Sequence, residues 1–289
     1  MRRLIVVFNA RSSKSKLVTE EVLKPARNLA GFLVGKYEIE PTNFDDNVER
    51  LAKILNDEDL VVAAGGDATA SIALNGCMNS GKRVVFAALS FGNFCDTART
   101  LGKLDFSELI KRFLDGETQE FFPLDVKIDK KHFRYAAGYL TVGMFAESTR
   151  VFEQKVVRKE LKGGRAKCFS YFLLLKWYLK NRRKKFLPDM TDYVVMNGTS
   201  AGGIMRGKRW FLGKKFSCGM FDLVKLFEMV KFMVKAILRQ VPGEEKGKDA
   251  LEFGEMTKVT VQVEGESKEV WCKKIGVEKN RSLRVIMRL

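Results

Sequence analysis

The sequence predicts a parallel α/β domain followed by an antiparallel β-rich domain. Three observations carry this. Short, wholly apolar runs such as Leu4–Phe8 and Leu60–Ala64 alternate with helical stretches in the first part of the chain. Strict polar/apolar alternation takes over later, with Val259, Val261 and Val263 on one face of Lys258–Val263. Between the two lies Phe121-Phe122-Pro123. Strands apolar on both faces belong in sheets covered by helices, whereas alternating strands belong in sheets with one face in water.

In order, Leu4–Phe8 reads as a buried strand, Val18–Leu33 as a helix, Tyr37–Glu40 as a short strand and Asn47–Leu55 as a helix. Leu60–Ala64 is a third strand, Ala70–Met78 a helix, Arg83–Leu89 a fourth strand, and Asp105–Leu114 a helix stopped by Asp115-Gly116. Beyond Pro123, Leu124–Ile128 and Arg134–Tyr139 read as a hairpin across Asp129-Lys130-Lys131. Asp192–Met196, Phe221–Leu226, Lys258–Val263, Glu269–Lys273 and Leu283–Met287 read as further strands. The expected division is 1–122 and 123–289, with a last strand able to return to the first domain.

The chain has 289 residues, of which 46% are hydrophobic and 30% charged, with five prolines. That balance is globular and excludes a disordered or low-complexity protein. Its 52 basic and 35 acidic residues leave a net charge of +17, which calls for a polyanionic partner. The single histidine, His132, argues against His-rich zinc sites and leaves one candidate base for any triad. Five cysteines without a CxxC pair argue against a disulfide framework and fit a reducing cytoplasm. Met1-Arg2-Arg3 precedes only five apolar residues, too few for a signal-peptide core, and no uncharged apolar stretch approaches the ~18 residues of a membrane span.

Two later segments are distinctive. Arg150–Lys185 holds 13 basic and two acidic residues, together with Phe169, Tyr171, Phe172, Trp177 and Tyr178. Glu228–Val241 reads as an amphipathic helix with Met229, Phe232, Met233, Ala236 and Ile237 on one face.

Among local motifs, Gly65-Gly66-Asp67-Ala68-Thr69 ends a buried strand and opens a helix. Paired glycines let a ligand approach the backbone, and the helix start offers free N–H groups and a positive dipole end, a geometry suited to polyphosphate. Asp67 would repel a bare phosphate, so it needs a cation, a ribose hydroxyl, a catalytic role or a plain capping role. Asn9-Ala10-Arg11-Ser12-Ser13-Lys14, Thr42 and Ser90–Asp96 follow other strands and should face the same crevice. Two motifs are decoys. Gly198-Thr199-Ser200-Ala201-Gly202 matches a nucleophile elbow, but no histidine follows residue 132. Gly202–Lys208 matches GxxxxGK, but Arg209 stands where a Ser or Thr must hold magnesium. Glu264-Gly265-Glu266 is a solvated turn or a pair of carboxylates reaching the cleft.

Taken together these residues resemble the diacylglycerol kinase catalytic domain family, a superfamily shared with sphingosine kinases and, more distantly, NAD kinases. Asn9-Ala10-Arg11-Ser12-Ser13 resembles its NPxSG loop, and Gly65–Ser71 with Asn75-Gly76 its GGDGTxxxxxNG signature. Gly92-Asn93-Phe94-Cys95-Asp96-Thr97-Ala98-Arg99 resembles GTxNDFAR, Leu124-Asp125-Val126 the aspartate after the linker, and Thr141-Val142-Gly143 the S-x-G element. Asn197-Gly198 with Gly202-Gly203 resembles NGxxxGG, Cys218-Gly219-Met220-Phe221-Asp222 resembles DGxLD, and Glu264-Gly265-Glu266 resembles DGE.

The resemblance implies an α/β nucleotide-binding domain with a parallel sheet, beside an antiparallel β-rich sandwich domain that takes the lipid. It implies an ATP- and Mg2+-dependent lipid kinase acting on diacylglycerol or a related lipid, cytoplasmic and peripheral to an anionic membrane through Arg150–Lys185. It leaves a homodimer open. Nucleotide would sit on Asn9, Ala10, Arg11, Ser12, Ser13, Thr42, Gly65, Gly66, Asp67, Ala68, Thr69, Ala70, Ser71 and Asn93. Glu266 would be the general base and Asp125 a second catalytic residue, with Asp67 and Asp125 organising magnesium.

The sequence departs from the family at Ala68 for glycine, Asn93 for Thr, Cys95 for Asn and Cys218 for Asp. The last removes a ligand of the family's structural magnesium. These departures motivate a second reading, a catalytically silent nucleotide- or lipid-binding protein. The charge motivates a third, a basic nucleic-acid-binding module, for which no RRM, KH or helix-turn-helix signature is present.

Overall fold

The structure is a computed structural model and describes residues 2–40, 43–92, 95–153, 176–181, 187–188, 190, 192–198, 200–201, 205–206, 213–221, 228, 231, 244–264 and 266–288. Most of Arg150–Lys185 and nearly all of Glu228–Val241 therefore lie outside the described residues, as do Thr42 and Asn93.

Six strands form a mostly parallel sheet: β1 (Arg2–Phe8), β2 (Phe32–Glu38), β3 (Leu60–Gly65), β4 (Val85–Ser90), β5 (Gln119–Phe121) and β16 (Leu283–Val285), in the order β2-β1-β3-β4-β16-β5. Only the β16–β5 pair is antiparallel. Leu4, Val6, Val7 and Leu60–Val62 are fully buried, as apolar runs covered on both faces must be. Covering them are α1 (Ser15–Val18), which runs through a π-helical turn (Thr19–Leu23) into α2 (Lys24–Arg27), then α3 (Phe44–Ile54), α4 (Asp67–Ser80), α5 (Asp96–Thr100) and α6 (Phe106–Leu114). Asn43 and Asp105 cap α3 and α6 by accepting backbone N–H bonds from Asp46 and Glu108.

The first helix ends earlier than its pattern predicts. Gly31 turns the chain at φ 79°, and Phe32-Leu33-Val34 join the ladder opposite Arg2-Arg3-Leu4, so β2 starts five residues before the strand expected at Tyr37. The apolar residues there serve the sheet, which the helical period could not distinguish.

The second sheet has eight strands in the order β13-β12-β9-β8-β14-β15-β6-β7, all pairs antiparallel. These are β6 (Leu124–Ile128), β7 (Lys131–Ala136), β8 (Tyr139–Gly143), β9 (Asp192–Met196), β12 (Phe216–Phe221), β13 (Glu244–Lys246), β14 (Lys248–Val263) and β15 (Glu266–Glu278). The β6–β7 turn is made by Asp129 and Lys130, both at positive φ. Val259, Val261 and Val263 are buried as their alternation predicts. A strand not expected runs at Phe216–Phe221, and of the one expected at Phe221–Leu226 residues 222–226 lie outside the described residues. Two strands are longer than expected: β14 and β15 extend well past Lys258–Val263 and Glu269–Lys273, with a bulge between Glu252 and Thr257. Glutamates and lysines in the outer halves hide the strand pattern there, since one face is solvated. A helix, α7 (Met144–Glu153), and a small ribbon, β10 (Ser200–Ala201) with β11 (Met205–Arg206), complete the named elements.

The sheets meet through α4. The Asn75 amide donates from Nδ2 to the Tyr135 carbonyl at 2.9 Å and accepts the Tyr135 N–H at Oδ1, 2.8 Å. A side chain thus pairs with β7 as another strand would. Next to it, a methyl group on Gly76 would lie 2.7 Å from Leu51 Cδ2, so α3 and α4 approach through a residue that must lack one. Replacing Asn75 with Ala orphans two buried backbone groups of Tyr135. Urea unfolding of Asn75→Ala should show a loss of about 2–4 kcal/mol; a loss within error of zero would contradict this account of the sheet junction.

Candidate active site

Parallel strands end at one edge, and the loops leaving that edge converge. After β1, the Asn9 side chain accepts the Arg11 N–H at 2.9 Å and Ser12 Oγ accepts the Lys14 N–H at 3.3 Å, fixing a loop on which Ala10, Arg11 and Ser13 are exposed. Lys14 Nζ crosses to the Gly92 carbonyl after β4, at 3.1 Å. After β3, Gly66 passes so close to Gly92 that a methyl group on Gly92 would lie 2.4 Å from Gly66 Cα. Cys95 ties the same two loops: its Sγ accepts the Gly92 N–H at 3.0 Å and lies 3.9 Å from the Gly65 carbonyl.

The helix that follows, α4, begins at Asp67 with Gly66 as its cap and no side chain on its first N–H groups. Those donors and the positive end of a 14-residue helix remain available to an anion. Ala68 is exposed on the first turn at an ordinary helical φ, so its methyl group meets no backbone penalty. Thr69, Ala70 and Ser71 turn inward and are buried, Thr69 packed against Gly65.

Asp67 does not cap its own helix. Its carboxylate accepts the Thr97 N–H at 3.1 Å and a bond from the Asp96 backbone, and so caps α5. Cys95, at φ 52°, turns the chain into that helix. Asp96 is buried and paired with Arg99 at 3.5 Å. Burial and the nearby Asp96 charge push Asp67 up to about 7.

The third acid of this cluster is Glu264, which comes from the turn between β14 and β15. It is 1% exposed. Its Oε1 accepts the Gly138 N–H and lies 3.5 Å from Thr97 Oγ1, while Oε2 is buried with no hydrogen-bond partner among the described residues. Burial first, and then the charges of Asp67 and Asp96, push Glu264 up to about 8. Three acidic side chains from both sheets therefore share one low-dielectric space.

The predicted residues divide around this cluster. Asn9–Ser13, Gly65–Ser71 and the Gly92 turn come together. Glu266 does not join: it pairs with Arg134 at 2.7 Å and its side chain is 33% exposed. Arg134 also sits 3.5 Å from the Phe44 ring centroid and 3.5 Å from Asp45, so Glu266 helps hold α3 against β7. Asp125 sits on β6 with His132 Nδ1 at 2.6 Å, Asn280 Nδ2 at 3.3 Å and Lys127 Nζ at 3.6 Å, and no hydrogen bond or ion pair among the described residues links it to Asp67. Cys218 is a core residue of β12, bonded to Asp249. Among the described residues no three His, Cys, Asp or Glu side chains close into a metal cage, and no helix is long and apolar enough to cross a membrane. Sequence reading placed Lys14 and Asp96 in loops facing the crevice and Glu264 in a pair of carboxylates, but gave none of the three a role of its own. Glu264 and Glu266 flank one glycine, and only the pleat of the hairpin decides which turns inward.

Residues 3–126 match the family model described as the diacylglycerol kinase catalytic domain. The first part of the chain is thus similar to that domain. A solved structure described as a diacylglycerol kinase from Bacillus anthracis str. Sterne superposes with a TM-score of 0.66 at 14% identity, covering 99% of this chain and 97% of that one. A second from that organism, described as a candidate diacylglycerol kinase, gives 0.67 at 16% identity, covering 99% and 98%. At these identities the likeness is one of fold, and it spans both sheets. No curated protein matches the chain.

The cluster makes stability depend on pH. Asp67 and Glu264 hold protons in the folded state well above their ordinary values of 3.8 and 4.5. Their contribution is complete below those values and is lost as pH rises through about 7 and about 8. Metal-free protein should therefore lose stability from about pH 4.5 to about pH 8, and Glu264→Gln should flatten that decline by up to about 1.4 kcal/mol per pH unit. Denaturation midpoints across that range check it; identical slopes in the two proteins would refute it.

Proposed function

We propose that this chain is an ATP- and Mg2+-dependent lipid kinase that phosphorylates a hydroxyl of diacylglycerol or a related lipid, with Glu264 as the proton acceptor. The observation that carries the reading is the free Oε2 of buried Glu264 beside Asp67 and Asp96, at the edge where the Gly65-Gly66 turn and the Asn9–Lys14 loop converge.

The donor set suits magnesium. Mg2+ commonly takes one or two carboxylates, with water and substrate phosphates completing its shell. Asp67 and Asp96 supply two clustered acidic groups without a closed cage, which fits that sharing. When bound, the ion supplies neutralisation of the phosphate charge. The open N–H groups of α4 receive the phosphates, and Arg11 and Lys14 bring positive charge to the loop facing them. Glu264 Oε2 takes the proton of the lipid hydroxyl as that oxygen bonds to the terminal phosphorus and the bond to the departing ADP oxygen breaks. Glu266 is assigned to holding Arg134, in place of the basic role its motif position implies. Asp125 is assigned to the His132–Asn280 cluster on β6. The basic segment Arg150–Lys185 provides the charge for contact with an anionic membrane surface, each cation there contributing about 1 kcal/mol.

Transfer of labelled phosphate from ATP to diacylglycerol, in mixed micelles with anionic lipid and magnesium, tests the reading. Glu264→Gln should lower kcat at least about 100-fold with ATP binding retained, while Glu266→Gln should keep most turnover. Loss of turnover in Glu266→Gln alone would reverse the assignment. No transfer by the wild-type protein, with ATP still bound, would favour the silent binding protein.

A further inference from the structure

Lys279 is 4% exposed at the end of β15. Its Nζ donates to Asn197 Oδ1 at 2.8 Å, to the Lys215 carbonyl at 3.1 Å and to the Gly213 carbonyl. An ammonium has three donors and no acceptor, so a set of neutral oxygens suits it. Burying a cation is costly, and burial pulls Lys279 down to about 7. A buried polar group kept at such a cost should fix something that an apolar residue cannot.

What it fixes is Asn197. With Oδ1 held by Lys279, the Asn197 amide points Nδ2 at the Phe122 and Ala137 carbonyls, at 3.0 and 2.9 Å. An amide flip would put an oxygen against both, so the lysine sets the orientation of the group. The backbone N–H groups of Asn197 and Gly198 both donate to the Gly138 carbonyl, at 2.7 and 2.9 Å. Gly198 is held in turn by Thr100, since a methyl group on Gly198 would lie 2.2 Å from Thr100 Oγ1. The other side of Gly138, its N–H, is the donor to Glu264 Oε1.

We propose that Lys279 is a positioning residue for Glu264, acting through Asn197 to hold the Ala137–Gly138 turn in the orientation that grips the Glu264 carboxylate. The inference rests on the role given above to Glu264 and deepens it. Lys279 touches no reacting atom. Its ammonium orients one amide, that amide holds one turn, and the turn's N–H leaves Oε2 as the oxygen free for chemistry.

Two substitutions cut the relay at different links. Lys279→Met removes the ammonium at similar length. Asn197→Asp keeps an acceptor for Lys279 but loses the donors to Phe122 and Ala137, and it keeps the fold testable if Lys279→Met does not fold. Per folded molecule, each should lower kcat about 10- to 100-fold with KM for ATP unchanged. The Gly138 amide proton, assigned by its movement in Glu264→Gln, should shift upfield in both variants as its hydrogen bond to Glu264 Oε1 lengthens. Propylammonium should restore part of kcat and of the Gly138 shift in Lys279→Ala, whose truncated side chain leaves room for it, and neither in Asn197→Asp. A Gly138 resonance unmoved in the variants that fold would overturn the proposal, as would a loss of activity that only follows the loss of folded protein. Should Glu264→Gln keep wild-type turnover, the base assignment fails on its own, and the Gly138 shift still decides whether Lys279 holds this turn.

Discussion

Two residues, Ala137 and Gly138, separate β7 from β8, yet those strands lie four places apart in the hydrogen-bonded order. So short a link forces the sheet to curl until its β7 edge returns to its middle. The consequences meet at one turn. The Ala137 carbonyl accepts from Asn197, the Gly138 carbonyl accepts two backbone N–H groups from the end of β9, and the Gly138 N–H reaches Glu264 at the end of β14. One strand back, Tyr135 is paired with Asn75 of α4. The curled sheet and the parallel sheet are therefore locked within four residues, which is why an acid from the far hairpin can meet acids from the first domain.

That meeting is expensive for the folded state. Three acidic side chains are gathered where water is scarce, and two of them are raised to about 7 and about 8. A structure selected for stability alone would replace such groups with neutral ones. Asp67 offsets part of the cost by capping α5 through the Thr97 N–H, and Glu264 by accepting from Gly138. Buried Oε2 has no such compensation among the described residues. Positive charge arriving with a ligand stabilises the carboxylate forms, so binding and the ionisation of these acids reinforce each other.

The parts of the fold set by strand chemistry were legible in the sequence. Leu4–Phe8 and Leu60–Ala64 could only be strands covered on both faces, and the Gly65-Gly66-Asp67 turn had to follow one of them. Boundaries were less so where one apolar run serves either structure, as at Phe32–Val34, or where solvated halves carry no pattern, as in the outer parts of β14 and β15. The site was half legible. Local motifs gave the phosphate-side loops because their chemistry lies in contiguous residues. The choice between Glu264 and Glu266, the link from Lys279 to Asn197 and the seclusion of Asp125 with His132 all depend on contacts across 7 to 132 positions. No local pattern encodes those.

The departures from the family signature bear on whether the chain has become a silent relative. Ala68 lies at a helical φ on an exposed turn, where a methyl group neither strains the backbone nor fills the Gly66–Gly92 approach. Cys95 is less comfortable, because a side chain at φ 52° is one that Asn tolerates better. Its thiol nevertheless bridges the loops after β3 and β4. Cys218 is buried on β12 with its thiol hydrogen-bonded to Asp249, and the Gly213 and Lys215 carbonyls just before it in sequence are occupied by the ammonium of Lys279. A lesion would leave polar groups stranded at these positions. Here each substituted residue described has either a compatible conformation or new partners, and Asp67, Asp96 and Glu264 remain clustered, so the changes fit the proposed activity better than a silent relative.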